Sequence, residues 1–319
     1  MTLITKDINK AIEFLNDDQL IAIPTETVYG LAGNIYSENT IKAIFNLKKR
    51  PLTNPLIVHI HSIDLLKEVA DEVSDLAYHL AHAFWPGPLT LLLKKNKKIP
   101  NYVTANKETV AVRIPNHELT LELLSKLDYP LAAPSANPFG SISPTESAHV
   151  YNYFNPILPL ILDGGTCKNG IESTIIGFEN DKPIVYRLGS IPIELIVKEI
   201  GAVEIKNQAT DNPDAPGMLS KHYAPKTNTL LTDDLNGMIN KYEGKRIGVI
   251  SFDQTIENHT IYCHQVLSQS GNLSEAAANL YAALHLLDTM KLDVIIAQKF
   301  PNHDLGRSIN DRLLRATKK

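Results

Sequence analysis

The chain has 319 residues, 44% of them hydrophobic, which suffices to bury a large core and favours two domains over one. A formal net charge of -4 with both signs interspersed excludes the strongly basic field of a protein that lives on nucleic acid, leaving only transient RNA contact. Two distant cysteines, Cys167 and Cys263, form neither a disulfide framework nor a metal-ligand set and suit a reducing compartment, so a cytoplasmic protein is expected.

The opening MTLITKDINKAIEF lacks a signal-peptide pattern, and no apolar run approaches the roughly 20 residues of a membrane span. Ile8, Ala11, Ile12 and Leu15 recur at helical spacing, so an amphipathic helix leads into a strand over 20–23. That strand runs straight into PTETVYGL, where hydroxyls and a carboxylate stand at a buried strand's end. Ile41, Ile44 and Phe45 mark a second helix, stopped at Arg50 because Pro51 restricts its predecessor. Lys48 falls on the apolar face of that helix's last turn, where it suits the dipole but points at the domain body, snorkelling being the simplest explanation.

PLIVHI, TLLLKK, TVAVRIP, YPLAAPS, LPLILDGG, STIIGF and PIVYRLG read as short strands, with helical stretches near 64–84, 117–126 and 145–153 between them. They predict an α/β domain with a large mixed sheet over 1–205. Residues 206–229 lack an apolar period and carry three prolines, which marks a linker. Over 230–319, RIGVISF and LDVIIAQKF alternate with a helix carrying Leu280, Ala283, Leu284 and Leu287 and with a final helix, a small α/β domain with a partly parallel sheet. The cluster KKNKK at 94–98 reads as a solvated turn.

Neither GxxxxGK[ST] nor GxGxxG occurs, so phosphate binding would have to use scattered basic residues. KKRPLTNPLIVHI sets Lys48, Lys49 and Arg50 at a proline turn, with Asn54 and His59 beyond it. In VAVRIP the alternation places Arg113 on the face opposite Val110 and Val112, where a structural carboxylate or a ligand anion must answer its charge. PSANPFGSISPT is rich in hydroxyls and amides, and DGGTCKNGIESTIIGF offers glycine N–H groups for an anion nest or simply a tight loop. YRLG ends a strand on Arg187, and PGMLSKHYAP puts His222 and Tyr223 in the linker. Several of these clusters follow strands, and open α/β sheets bind ligands beyond the carboxyl ends of their strands. Basic groups and hydroxyls without a metal cluster point to a polyanionic nucleotide plus a small zwitterion, and no GxSxG supports a serine triad.

In this order, PTETVYGL, KKRP..NPLIVHI, VAVRIP, PSAN, SPT, GIESTII, YRLG and PGMLSKHYAP resemble the threonylcarbamoyl-AMP synthase family in its long form. The match runs over essentially the first 225 residues, and LGRSINDRLLRAT resembles the end of the family's second domain. The resemblance implies a YrdC-like twisted mixed sheet with flanking helices over 1–205, an ordered linker or lid over 206–229, and a small Rossmann-like α/β domain over 230–319.

It further implies conversion of L-threonine, bicarbonate or CO2, and ATP into threonylcarbamoyl-adenylate and pyrophosphate. That product would pass to a tRNA-modifying threonylcarbamoyl transferase for N6-threonylcarbamoyladenosine. By motif, Thr27, His59, Arg113, Ser135 and Ser173 would surround threonine. Lys48, Arg50, Asn54, Thr109, Asn137, Thr145, Arg187 and Tyr223 would serve ATP, with Lys48, Arg50 and Arg187 neutralising charge during catalysis. Mg2+ is expected to ride on the phosphates without a protein metal site. Phe139 and Ala215 stand where the family often has serine. Glu26 is either a general base or a carboxylate that orients Lys48 or a backbone N–H, the structural role being favoured. An RNA-binding module and a related enzyme using carbamoyl phosphate are the competing expectations. A basic concave face would favour RNA binding, and an enclosed pocket converging on Arg50 and Arg113 would favour a synthase.

Overall fold

The computed structural model describes residues 1–207, 213, 215–216 and 222–318. The chain begins with β1 (Leu3–Thr5), α1 (Ile8–Asn16), β2 (Ile21–Ile23), β3 (Gly30–Asn34), α2 (Glu38–Lys48) and β4 (Ile57–His59). It continues through α3 (Leu66–Val69), α4 (Asp75–Phe84), β5 (Leu89–Lys94), β6 (Thr109–Arg113), α5 (Glu118–Ser125) and β7 (Leu131–Ala132). Then come α6 (Ser147–Phe154), β8 (Leu160–Leu162), β9 (Thr174–Glu179), β10 (Lys182–Arg187), α7 (Ile193–Ile200) and β11 (Glu204–Ile205). Helix starts follow capping chemistry: Asp7 accepts from the N–H groups of Asn9 and Lys10, and Ser37 from that of Thr40. Helix α2 stops at Lys48, two residues before the expected end, because Lys49 turns left-handed at φ 53°.

These strands form one mixed sheet in the order β1-β8-β2-β3-β7-β4-β6-β5-β9-β10-β11. Its two edges are β1, of three residues, and β11, of two. The alternation read in VAVRIP is realised: Val110 and Val112 join the large core, while Ala111 packs on the other face with Ile57, Leu92 and Ile175. Strand β3 was not anticipated, since GLAGN has poor strand propensity. Its Gly33 is required by packing, because a Cβ there would stand 2.3 Å from the Thr40 methyl group of α2. In KKNKK, Lys94 pairs with Glu72 and Lys98 with Glu68 in the open, consistent with a solvated turn.

The C-terminal unit comprises β12 (Thr229–Thr232), α8 (Leu235–Lys241), β13 (Ile247–Ser251), β14 (Ile261–Val266), α9 (Leu273–Thr289), β15 (Val294–Gln298) and α10 (Asp304–Ala316). Its sheet, ordered β12-β15-β13-β14, is wholly parallel rather than partly so. Strand β14, half-exposed and mixed in polarity, carried no readable pattern. No helix among the described residues is long and apolar enough to cross a membrane.

Helices α9 and α10 dock the C-terminal unit on the first one. Val28, Ile142 and Ile171 enter the same buried cluster as Leu280, Tyr281 and Leu284. Gly170, at φ +70°, lies so close to α9 that a Cβ would meet the Ala278 carbonyl oxygen at 2.4 Å.

The contact also stacks two imidazoles, His149 of α6 and His285 of α9, with ring centroids 3.7 Å apart. Burial pushes His149 down to about 4; burial and then His149 push His285 down to about 3. Glu146 stands 3.2 Å from His149 Nε2, the Ser143 carbonyl 3.1 Å from His285 Nε2, and Asp288 and Tyr153 border the pair. Both folded values lie below the ordinary 6.5, so the opened chain binds more protons between them. Stability should therefore be flat above about pH 6.5 and fall as pH drops toward 4, a trend that thermal melts of H149F/H285F should flatten.

Candidate active site

The mixed sheet aligns the basic residues in one row. His59, last in β4, is the register partner of Arg113, last in β6; Thr90 of β5 pairs with Ile175 of β9, and Ile175 with Arg187, last in β10. The cavity lies over this sheet face, lined by Ile57, His59, Arg113 and Ala133 from below and by Pro216, His222 and Tyr223 from the C-terminal side. Its polar lining thus sits at strand ends, His59, Arg113 and Arg187 closing β4, β6 and β10, while Thr25 and Thr27 follow β2 and Ser135 follows β7, ends that come from both directions because the sheet is mixed. Its free volume is about 50 Å³, against roughly 300–1,000 Å³ for ordinary ligand sites.

PTETVYGL bridges β2 and β3 as a tight hydroxyl-tied turn. Thr25 Oγ1 donates to the Val28 carbonyl at 2.7 Å and accepts from the N–H groups of Thr27 and Val28. Its single proton is thereby used, so in the 2.8 Å contact between the two hydroxyls Thr27 donates and keeps its lone pairs for an incoming donor. Tyr29 is directed elsewhere: its OH donates to the Gly165 carbonyl at 2.8 Å. Thr25 and Thr27 both line the cavity and Tyr29 does not.

Arg113 is the buried cation that the alternation predicted, and its carboxylate is Glu26. Glu26 Oε2 lies 2.7 Å from Arg113 Nη2, a charge contact outside hydrogen-bond alignment, while Nε donates to the Gly87 carbonyl. Glu26 thus pairs with Arg113 rather than with the Lys48 or backbone N–H considered from sequence. His59 is pushed down to about 3 by burial and then by Arg113, so it meets a ligand as a neutral ring. Ser173 Oγ contacts Thr90 Oγ1 at 2.7 Å and accepts from Arg187 Nη2 at 2.9 Å.

Arg50 and Arg187 also line the cavity, and neither makes an ion pair among the described residues. Arg50 donates to the Asn54 carbonyl, Asn54 Oδ1 and the Pro55 carbonyl. Arg187 donates to the Ser173 and Pro216 carbonyls as well as to Ser173 Oγ. Burial and then Arg187 pull Arg50 down to about 9, still charged at neutral pH. Two buried guanidiniums facing one space without an ion-pair partner of their own call for an anion.

Thr27, His59, Arg113, Ser135, Ser173, Arg50, Arg187 and Tyr223 line the cavity, whereas Lys48, Asn54, Thr109, Asn137 and Thr145 do not. Lys48 points behind the PSAN loop, where Nζ donates to the carbonyls of Ser135 and, at 2.6 Å, Asn137. Burial and then Arg50 hold its pKa well below the usual lysine value. Asn137 closes the same loop by donating to the Pro138 and Ser141 carbonyls. Asn54 holds Arg50, Thr145 contacts His149, and Thr109 begins β6 beside Lys94.

Sequence reasoning missed Pro216 and Glu172 as lining residues, and weighed Thr25 only as a rival to Thr27. Buried Tyr223 OH and His222 Nδ1 have no hydrogen-bond partner among the described residues, the mark of a site that awaits one. His222 packs edge-on against Phe139, and Ala215 fills the apolar cluster around Ile57, so both departures from the family pattern are absorbed by packing. Among the described residues no His, Cys, Asp and Glu cluster is fit to hold a metal.

Two family models together span most of the chain: "Telomere recombination", of the Sua5/YciO/YrdC type, over residues 13–189, and "Threonylcarbamoyl-AMP synthase, C-terminal domain" over residues 191–317. The threonylcarbamoyl-AMP synthase of Pyrococcus abyssi is 38% identical across 96% of this chain and 93% of its own. That of Bacillus subtilis is 37% identical across 97% and 92%. The crystal structure of P. abyssi Sua5 complexed with L-threonine superposes with a TM-score of 0.92 at 37% identity, covering 99% of this chain and 98% of that one. This chain therefore belongs to the threonylcarbamoyl-AMP synthase family.

Proposed function

We propose that the cavity is where this ATP-using synthase joins L-threonine, bicarbonate or CO2, and ATP into threonylcarbamoyl-adenylate and pyrophosphate. The observation that carries the reading is the meeting of Arg50 and Arg187, neither in an ion pair among the described residues, with a small-zwitterion subsite formed by Thr27, His59, Arg113, Ser135 and Ser173. Arg113 takes the threonine carboxylate on the guanidinium edge left open by Glu26 and Gly87. Thr27 accepts from the amine, and neutral His59 avoids repelling it.

The amine, once unprotonated, attacks CO2, which bicarbonate yields by taking up a proton and losing water, and releases a proton to solvent as the N–C bond of the carbamate forms. A carbamate oxygen then attacks the α-phosphate in line, the α-phosphorus to bridging-oxygen bond breaks, and pyrophosphate leaves with the electron pair. Positioning and charge stabilisation suffice for such a step, and Arg50 and Arg187 supply the charge. Lys48, Asn54 and Asn137 act one layer back, setting the PSAN loop and the Arg50 guanidinium, while Thr109 and Thr145 serve ATP once it is bound. Mg2+ would be carried by the phosphates, where it would neutralise part of their charge.

On this reading the chain comprises a catalytic domain, 1–205, a lid, 206–229, of which 208–212, 214 and 217–221 lie outside the described residues, and a C-terminal domain, 230–319. The small free volume under Pro216, His222 and Tyr223 supports a lid at those described positions, which would withdraw before ATP enters. The product serves a tRNA-modifying transferase in the cytoplasm, with at most passing tRNA contact. A pocket that converges on Arg50 and Arg113 favours the synthase over the RNA-binding alternative. Incubation with ATP, bicarbonate and single amino acids, reading pyrophosphate and adenylate, tests the proposal; product that does not depend on both threonine and bicarbonate would falsify it.

A further inference from the structure

Glu172 puts a carboxylate into the wall of a cavity whose other charges are cationic. Its partners come largely from the C-terminal unit. Arg312 Nε of α10 donates to Oε2 at 2.8 Å, and Tyr281 OH of α9 to the same oxygen at 2.9 Å. Ser143 Oγ donates to Oε1 at 2.6 Å. Arg312 is 1% exposed and Glu172 6%, so water does little to screen either charge.

Arg312 is itself held by Asp311 at 2.6 Å and by the Leu188 carbonyl, next to Arg187. Its guanidinium stands 4.9 Å from the centroid of the Tyr223 ring, which stacks on Tyr281 at 5.7 Å. Burial alone would raise the Glu172 carboxyl, but Arg312, then Arg187, with the hydroxyl of Ser143 and the guanidinium hydrogen bond, bring it below the ordinary carboxylate value. Arg187 is thus the other cation acting on Glu172, and it is tied to the neighbouring residue Ser173.

We propose that Arg312 and Tyr281 are positioning residues of the adenylate-forming site, occupying Glu172 so that Arg187 stays available to the phosphates and seating Tyr223 over the cavity. The inference rests on the reading of the cavity given above. Without Arg312 the buried carboxylate faces the triphosphate directly and turns on Arg187, so ATP loses an attraction and gains a repulsion. The C-terminal unit is then part of the site's charge balance rather than an appended body.

The test is steady-state pyrophosphate release by the full chain with ATP varied at saturating threonine and bicarbonate. Arg312→Met should raise KM for ATP about tenfold or more with a smaller change in kcat, and Glu172→Gln/Arg312→Met should regain most of that loss. Tyr281→Phe, which keeps the stacked ring and removes only the hydroxyl, should raise KM about three- to tenfold and covers the case in which Arg312→Met does not fold. Wild-type kinetics in Arg312→Met, or a double variant no better than the single one, would overturn the inference by reducing the pair to a docking strut. An inactive wild-type chain would instead sink the reading of the cavity and this inference with it.

Discussion

Arg113→Ala should lower kcat/KM for threonine by about three orders of magnitude, the scale for removing a buried charge that meets substrate in a preorganised site. The guanidinium is pinned on two sides, by the Gly87 carbonyl and by Glu26, so its remaining edge can meet a carboxylate without reorganisation. Lysine keeps the charge but not the planar fork, so Arg113→Lys should recover less than a tenth of the activity. The same truncation strands Glu26 in the interior and should cost about 3–5 kcal/mol of stability. Glu26→Gln in the Arg113→Ala background should restore the melting temperature and leave catalysis lost, which separates the two roles. Unchanged threonine kinetics in a folded Arg113→Ala protein would remove Arg113 from the amino-acid subsite.

For Arg50→Ala we expect kcat to fall by about a hundredfold or more, because cations fixed in a covered site stabilise developing phosphate charge far better than exposed ones. Asn54 holds the Arg50 group by its carbonyl and its side chain, so Asn54→Ala should reproduce part of the loss by loosening the guanidinium. Folding should tolerate Arg50→Ala: removing one of two buried like charges relieves repulsion with Arg187, so the melting temperature should hold or rise. Rapid-quench single turnovers distinguish this from slowed lid opening. A normal chemical burst followed by slow turnover would take Arg50 out of the chemical step.

What could be read from sequence was what local periodicity encodes. The two-residue alternation in VAVRIP put Arg113 on the face opposite the valines, and the spacing of Ile41, Ile44 and Lys48 put the lysine on the apolar face of its helix. Partners were another matter. Glu26, 87 positions before Arg113, and Arg312, 140 positions after Glu172, are joined only by the fold. Lys48 shows the same limit: its helical phase was legible, but its acceptors are backbone carbonyls of a loop that folds back from residues 135 and 137. Glu172 went unnoticed because a lone carboxylate before two hydroxyls has no pattern of its own. Strands β3 and β14 were hidden by glycine, polarity and exposure, since pairing rather than composition makes them strands.

A sheet of eleven strands invites a hazard unrelated to catalysis, since each free edge is a template for another chain's backbone. Here both ends taper to stubs. Three residues at β1 and two at β11 offer too short a row of amides for a second molecule to register against, although Leu3 and Ile4 face solvent. The interior strands, of two to six residues, can therefore stay rich in Val, Ile and Leu without presenting an edge. Lengthening β1 with further alternating apolar residues would be the quickest way to forfeit that protection.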